Sequence, residues 1–542
     1  MMRGNGNEVD QRQEEIVDEE AASNASQLAQ PSLSQITTPH QSPPAAYSAF
    51  TRSQKRWIIP IAALAGWFST ASSFIYFPAI PLLAQDLGVS VQNINLTVTS
   101  YLIASGIFPS ITGSLADRHG RRWAFIASLG VYAAVNLGLA LQHSFPVLFV
   151  LRMLQSAAVS GTFSIAYGVV GDLTTPAEKG RLYWHHLRLV TIHNLALLRR
   201  NQVTGLTNYL LSLNTPPSVA PLISGLLLIR WTWPAIFWFL LAATCVALGI
   251  MVLLMPETCR LIVGDGTIAP SRARRPLFKA LLPKLQQQHR PKASQMLGEK
   301  IPVSSLARLA NLFSALTLLK NKGTFMVILC YAIYYTVYSC LQATLSTVFV
   351  EVYNVSGLVA GLCYIPFGVA CSIASFIAGK TIDRDYAKTA LERGPSANNH
   401  GHSHIVPADF PIEYARFRTN KYFIVATVPL IVAYGWTLQI RSHIAVPLIL
   451  QFLIGFTNQS LFTSLNTLLV DYYPGKSASA QAANNLVRCE MAATGLAVVD
   501  IMIQRLGVGW CFVVFAVLHA ITLPLIWALE RKGIAWRPRK SL

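Results

Sequence analysis

The amino-acid sequence predicts an all-α membrane protein of twelve transmembrane helices, arranged as two pseudo-symmetric six-helix bundles. Three observations carry this. First, 53% of the 542 residues are apolar and only 12% are charged, against about 25% charged in soluble domains. Such a chain cannot clothe a water-soluble surface. Second, apolar runs of 20 or more residues recur twelve times, and each is long enough to cross about 30 Å of hydrocarbon as a helix. Third, one short frame occurs twice. Gly113-Ser-Leu-Ala-Asp117-Arg118 follows the second run and Gly379-Lys-Thr-Ile-Asp383-Arg384 follows the eighth, as two copies of a six-helix unit would place it.

Residues 1–52 are rich in Glu, Gln, Ser and Pro with few aromatics; the expectation is a disordered cytoplasmic tail without a cleavable leader. The first bundle, 53–255, holds runs at about 57–80, 93–114, 123–142, 146–170, 207–229 and 233–255. A cytoplasmic linker is expected over 256–322. The second bundle, 323–530, holds runs at about 324–349, 357–379, 421–440, 444–469, 480–503 and 508–529, and a short tail, 531–542, closes the chain.

The net charge of +19 raises the question of nucleic acid, but a nucleic-acid protein gathers its basic residues on one soluble domain. Here they punctuate apolar runs. Arg118, Arg121 and Arg122 follow the second run, and a dozen Lys and Arg lie between Arg260 and Lys322. Lys380, Arg384, Lys388, Arg393, Arg416 and Arg418 follow the eighth run, and the tail adds Arg531, Lys532, Arg537, Arg539 and Lys540. The opposite face has only Arg230, Arg441 and Arg505. The positive-inside rule therefore puts both termini in the cytoplasm of a multi-pass protein. Seven of the eight cysteines lie in apolar runs, none with zinc spacing, which reads as membrane packing. No metal or cofactor is expected, and neither a catalytic nucleophile nor a Gly-x-x-x-x-Gly-Lys-Ser/Thr phosphate loop occurs. An enzyme and an ATP-driven pump are thereby set aside.

Several polar residues sit where hydrocarbon should forbid them. The stretch Gly113-Ser-Leu-Ala-Asp117-Arg118-His-Gly120-Arg121-Arg122 is expected to form a short loop at a membrane face, Gly113 and Gly120 allowing tight turns and close helix approach. Asp172 ends the fourth run on the same face and is positioned to pair with Arg121 or Arg122. Arg152, about a turn and a half into the fourth run, either snorkels to an interface or faces a central cavity; a charge at mid-membrane costs at least about 2.5–3.5 kcal/mol. Glu490, about three turns into the eleventh run, is expected to face the cavity or to pair with Arg488 or Arg152, as suits a proton carrier. The fifth run carries Pro217, Pro221 and Gly225, a kinked and small-residue face. In the seventh run Tyr331, Tyr334, Tyr335, Tyr338 and Gln342 share one helical face, a candidate cavity lining. Tyr76, Asn458, Gln459 and Asn466 are further polar candidates.

The ten residues from Gly113 to Arg122 resemble the loop motif of the major facilitator superfamily. Met255-Pro-Glu-Thr, Phe410-Pro-Ile-Glu-Tyr-Ala-Arg416 and the segment from Asp471 to Cys489 narrow the likeness, over about residues 50–535, to the fungal twelve-span drug:proton antiporters of the quinidine-resistance type. The resemblance implies the major facilitator fold, with the loop motif as a latch on the cytoplasmic gate. It implies a role in proton coupling for Arg152, in an Arg-x-x-Gln-Gly pattern with Ser156 in the Gly place. It also implies antiport from Gly-Pro-x-x-Gly-Gly in the fifth run, with Ala220 and Ser224 in two Gly places.

The expected function is proton-coupled antiport that exports small organic compounds (drugs, toxins or secondary metabolites) by alternating access. The alternatives are export of a specific organic acid or polyamine, or a non-transporting sensor of the same fold, which would be expected to carry a long structured tail. The expected partners are a small-molecule substrate, protons and the lipid bilayer. No nucleic acid is expected; the expected state is a monomer in the plasma membrane. One region departs from the pattern, since 43 residues intervene between Asp172 and Pro216. The excess, about residues 184–209, reads as retained intron or as a basic loop lying on the bilayer.

Overall fold

A computed structural model describes residues 50–173, 216–264, 270, 275–278, 316–392, 410–473 and 477–537. The expected insert at 184–209 and most of the linker lie outside the described residues. The described residues contain helices and no strand, and a helix lies at each of the twelve expected positions in order. We label them α1 (Arg52–Phe74, extended by a 3-10 turn and a short helix Ile80–Asp86), α2 (Val91–His119), α3 (Arg121–Leu141), α4 (Phe145–Leu173), α5 (Pro216–Leu227) and α6 (Pro234–Leu254). The second half holds α7 (Lys322–Tyr353), α8 (Ile365–Glu392, preceded by Gly357–Leu362), α9 (Lys421–Gln439), α10 (Ala445–Tyr472), α11 (Ser477–Leu506) and α12 (Val508–Trp536).

The ends follow local chemistry. Thr51 and Gln54 form a capping box at the start of α1, Ser90 accepts from the Asn93 amide at α2, and Asn321 does the same for Thr324 at α7. Each satisfies a backbone donor that the first helical turn leaves free. Asn354 ends α7 in the left-handed region.

Ten described helices are long and apolar enough to cross a membrane. Two spans differ from the rest. The described part of α5 begins at Pro216, so its expected start near 207 lies outside the described residues. Helix α11 is 30 residues long but carries Asn484, Asn485, Arg488, Glu490, Asp500 and Arg505, which dilute its apolar character. It packs against α7 and α2, which cover Asn484, Asn485, Arg488 and Glu490 wholly or in part, whereas Arg505 at its end is exposed.

Pseudo-symmetry is visible in the packing. In the first half α2 packs on α4, α3 on α6 and α1 on α5; in the second, α8 packs on α10, α9 on α12 and α7 on α11. The halves meet along α2–α11 and α5–α8, again a symmetric pair of seams. Apolar residues such as Leu137, Val147, Ile449 and Val517 stay exposed on the outer surface, where lipid rather than water would cover them.

Candidate functional site

The latch. The charged stretch after α2 is not a loop. Helix α2 runs on through Asp117 and Arg118 to His119, and the chain breaks at a single residue, Gly120, before α3 starts at Arg121. Charged residues leave hydrocarbon equally well by extending a helix past it. Gly120 has φ of 103°, a region costly for other residues, and a Cβ there would lie 2.3 Å from Glu257 Oε2. A Cβ at Gly113 would meet nothing within 4 Å, so the close approach expected at that glycine is absent.

Arg121 is the hub. Its guanidinium pairs with Asp117 at 2.7 Å and Asp172 at 3.1 Å, and its amide donates to Glu257 Oε1 at 2.8 Å. It lies across Gly168 of α4, where a Cβ would approach Arg121 Cζ to 2.5 Å. Burial pushes the Asp172 carboxyl up, and the Arg121 charge beside it pulls the other way. Arg122 takes no part in the pair; it donates to the Val252 carbonyl on α6 at 2.8 Å. Arg118 is exposed. Glu257, just after α6, is 2% exposed and also accepts from the Thr258 and Cys259 amides. Arg260 donates to the Asp172 carbonyl at 3.1 and 3.0 Å. Glu257, Arg260 and Gly168 were not among the expected gate residues. The Met255-Pro-Glu-Thr signature was the available signal for Glu257; its packing onto α3 is a long-range contact that spacing does not reveal.

The second half repeats this arrangement without the trailing Gly-Arg-Arg. Arg416, on the short helix Ile412–Phe417 before α9, pairs with Asp471 at the end of α10 at 2.9 Å, as Arg121 does with Asp172 at the end of α4. Arg537, past α12, clamps the buried Glu413 at 2.8 Å, and Tyr472 donates to the same carboxylate at 3.0 Å.

The buried arginine. Arg152 is fully buried, so it does not snorkel. Its Nη1 donates to Gln155 Oε1 and, at 3.4 Å, to the Ser72 carbonyl of α1. The guanidinium lies 4.0 Å from the centroid of the Tyr76 ring and 4.6 Å from that of Tyr101, in cation–π range. Gln155 donates to Asn136 Oδ1 at 2.7 Å, and Asn136 to the Tyr132 carbonyl at 2.8 Å. Ser156 donates to the Tyr101 carbonyl at 2.6 Å, tying α4 to α2. Arg152 Nε and Nη2 have no hydrogen-bond partner, and no carboxylate among the described residues pairs with them. Tyr76 therefore belongs to this cage, its hydroxyl 2.8 Å from Thr97 Oγ1.

The seams. Pro217, Pro221 and Gly225 are buried on α5, which packs on α8 and on the short helix Gly357–Leu362 before it. A Cβ at Gly225 would lie 3.2 Å from the Leu358 carbonyl, and one at Gly361 would lie 2.6 Å from the Pro221 carbonyl. Glycines on both sides set this closeness. Across α2–α11, Asn485 donates to the Ser105 carbonyl at 2.8 Å and Gln92 to the Ala497 carbonyl at 2.5 Å. Near the far end of α7, Ser346 donates to the Phe77 carbonyl at 2.6 Å. Between described residues, the hydrogen bonds joining the halves run from the face opposite the latch to mid-depth.

The aromatic face. Tyr331, Tyr335 and Tyr338 are half-buried and gather around Phe462 of α10, with centroid distances of 4.8, 6.3 and 6.0 Å. Tyr334 is not with them. It is fully buried, its hydroxyl 2.6 Å from Thr522 and its ring 4.5 Å from His519, both on α12. At roughly 100° per residue, Tyr334 sits at the edge of the stripe, where α12 packs. Gln342 continues the stripe but is fully buried with neither amide atom partnered. Asn458 is buried, and Gln459 donates to Ser375 on α8 at 3.1 Å. Asn466 bonds Gln481.

Arg488 and Glu490 do not pair. Two residues apart, they point to different sides of α11. Arg488 lies 4.6 Å from the Tyr335 ring centroid, whereas Glu490 faces α2, where a Cβ at Gly106 would lie 3.1 Å from its Oε1. That oxygen is buried without a hydrogen-bond partner.

Against known proteins, the family model described as Major Facilitator Superfamily matches residues 62–397. The chain is 35% identical over 493 residues to the MFS-type transporter phiD of Fungal sp., covering 91% of this chain and 70% of the relative. It is 33% identical over 496 residues to Citrate exporter 1 of Aspergillus niger, covering 90% and 88%. Among solved structures, a bacterial homolog of the human lysosomal transporter Spinster aligns with TM-score 0.60 at 11% identity, covering 91% of this chain and 100% of that one. The D-xylose-proton symporter aligns with TM-score 0.57 at 13% identity, covering 87% and 96%. These two likenesses show the fold alone.

Proposed function

The chain belongs to the major facilitator superfamily, whose members are membrane transporters and not enzymes, and from that premise we propose that it is a proton-coupled antiporter. It exports small organic compounds from the cytoplasm by alternating access, with both termini cytoplasmic, in the plasma membrane as a monomer. The observation that carries this reading is the fully buried Arg152, held by an amide relay and two aromatic faces with no carboxylate partner. A charge kept in the membrane interior at a cost of several kcal/mol marks a coupling or substrate path. The lone buried oxygen of Glu490, beside the α2–α11 seam, supplies a group able to take up a proton where the halves move. The symmetric seams α2–α11 and α5–α8 supply the rocking surfaces. The Arg121 latch supplies a charge cluster to be made and broken on the cytoplasmic face.

The likeness to Citrate exporter 1 of Aspergillus niger supports export. The antiport assignment draws on Pro217, Pro221 and Gly225 at the α5–α8 seam. Purified protein in proteoliposomes, screened for substrate flux with an imposed pH gradient, tests the reading. Substrate accumulation should follow the gradient and collapse with a protonophore. Flux indifferent to the protonophore would defeat proton coupling.

A further inference from the structure

We propose that Arg488 anchors a binding site for a carboxylate-bearing organic anion, with the Tyr331 and Tyr335 rings as its walls, so that the transported substrate is an organic acid. This rests on the transporter reading above and names its substrate class.

Arg488 lies eleven residues into α11, about 16 Å from its start at 1.5 Å per residue. It is half-buried, as are Tyr331 and Tyr335, so this face stays accessible inside the protein. Its Nε and Nη2 both donate to one atom, Asn485 Oδ1, at 3.1 and 2.7 Å. The guanidinium stands 4.6 Å from the Tyr335 ring centroid and 5.9 Å from that of Tyr331. No carboxylate among the described residues forms an ion pair with it. Glu490 is turned to α2, and the other interior cation, Arg152, is also without a carboxylate. Among the described residues, Arg152, Arg488 and Glu490 thus set two guanidinium groups against one acid inside the spans. Amide bonding and ring stacking orient a guanidinium but leave its charge uncompensated. A fixed counter-ion would lock the halves; an anion that arrives, is carried and leaves would not. The planar fork of arginine also matches a carboxylate with two parallel bonds, and the ring faces accept an apolar or aromatic body beside it.

The test is binding to the purified full chain in nanodiscs, read by thermal shift and by equilibrium titration. The probes are citrate, succinate and benzoate, with spermidine and tetraphenylphosphonium as cations and benzyl alcohol as a neutral control. At least one carboxylate should bind the wild type, and the cations should not. Arg488→Gln should weaken that carboxylate roughly tenfold to a hundredfold, the loss of a charged hydrogen-bond partner. Arg488→Lys should weaken it less, and Tyr335→Leu should weaken an aromatic carboxylate more than an aliphatic one. Size-exclusion behaviour reports folding, and the charge-retaining lysine variant keeps the test decisive if the glutamine variant is lost. A wild type that binds only the cations or the neutral probe, or none of the carboxylates, overturns the inference. So does Arg488→Gln, or Arg488→Lys with Tyr335→Leu, binding the carboxylate as the wild type does. Carboxylate binding through Arg488 without gradient-driven flux would defeat the antiporter reading alone.

Discussion

Arg152 sets the energetic problem at the scale of single residues. Cation–π contact with two rings returns about 0.5–2 kcal/mol each, comparable to the lower insertion estimates for a mid-membrane charge. The cage therefore offsets part of that cost, and only while it is complete. Removing the amide that aims the guanidinium should disturb coupling more than folding: Gln155→Leu is expected to lower gradient-driven export several-fold while the protein still elutes as a single species. Tyr334 gives the contrast. Its hydroxyl meets Thr522 and lies off the aromatic face, so Tyr334→Phe should cost about 1 kcal/mol of stability and leave substrate preference unchanged. A changed preference in competition flux would put Tyr334 back in the cavity wall. Gly120 is a third such position. Gly120→Ala meets both a positive φ and the Glu257 carboxylate, and should lower the unfolding midpoint in detergent by an amount equivalent to about 1–3 kcal/mol.

Among the elements, the latch and the seams carry the conformational predictions. Asp172 sits above its ordinary value of 3.8 because it is buried, Arg121 only partly offsetting this. The folded chain thus binds this proton more tightly than the unfolded chain. Ionised Asp172 contributes no net stability, and stability falls as pH rises through the window above 3.8. The same protonation removes the charge pair with Arg121, so acidification should open the latch without unfolding the protein. Asp172→Asn should show the open pattern of cysteine labelling at all pH values; labelling that still varies with pH would assign the effect to another group. At the α5–α8 seam, Gly361→Ala forces the Pro221 carbonyl away. It should shift labelling toward the state open on the face opposite the latch. A penalty of a few kcal/mol moves a two-state population by orders of magnitude.

Much of this level was legible in the sequence. Apolar run length located the spans, because hydrocarbon thickness fixes helix length, and the doubled Gly-x-x-x-Asp-Arg frame announced the pseudo-symmetry. Arg152 stood out because a charge in an apolar run has few innocent explanations. The rest turned on contacts between residues far apart in the chain. Gly120 as a one-residue break needed the carboxylate of Glu257, which lies beyond four further helices. Arg416 replaces the missing Gly-Arg-Arg from a short helix that spacing does not align with Arg121. Tyr334 left the stripe because a neighbouring helix claims its edge. Helix α11 is less apolar than a lipid-facing span because Asn485, Arg488 and Glu490 face other helices.

At the scale of the whole molecule, two six-helix units share one packing pattern and meet along two symmetric seams. Glu490 lies at the α2–α11 seam, and Arg152 lies within the first unit, between α1, α2 and α4. If rocking about the seams is coupled to protons, substrate exchange and gradient-driven accumulation are separable functions of one machine. Exchange needs the cavity and the moving halves; accumulation also needs Arg152 and Glu490. The most direct measurement reconstitutes wild type, Arg152→Ala and Glu490→Gln in proteoliposomes and follows labelled substrate with and without an imposed pH gradient. The account predicts that Arg152→Ala loses gradient-driven accumulation while retaining substrate-for-substrate exchange, and that Glu490→Gln weakens accumulation and flattens its pH dependence. Accumulation by Arg152→Ala at the wild-type rate would contradict it.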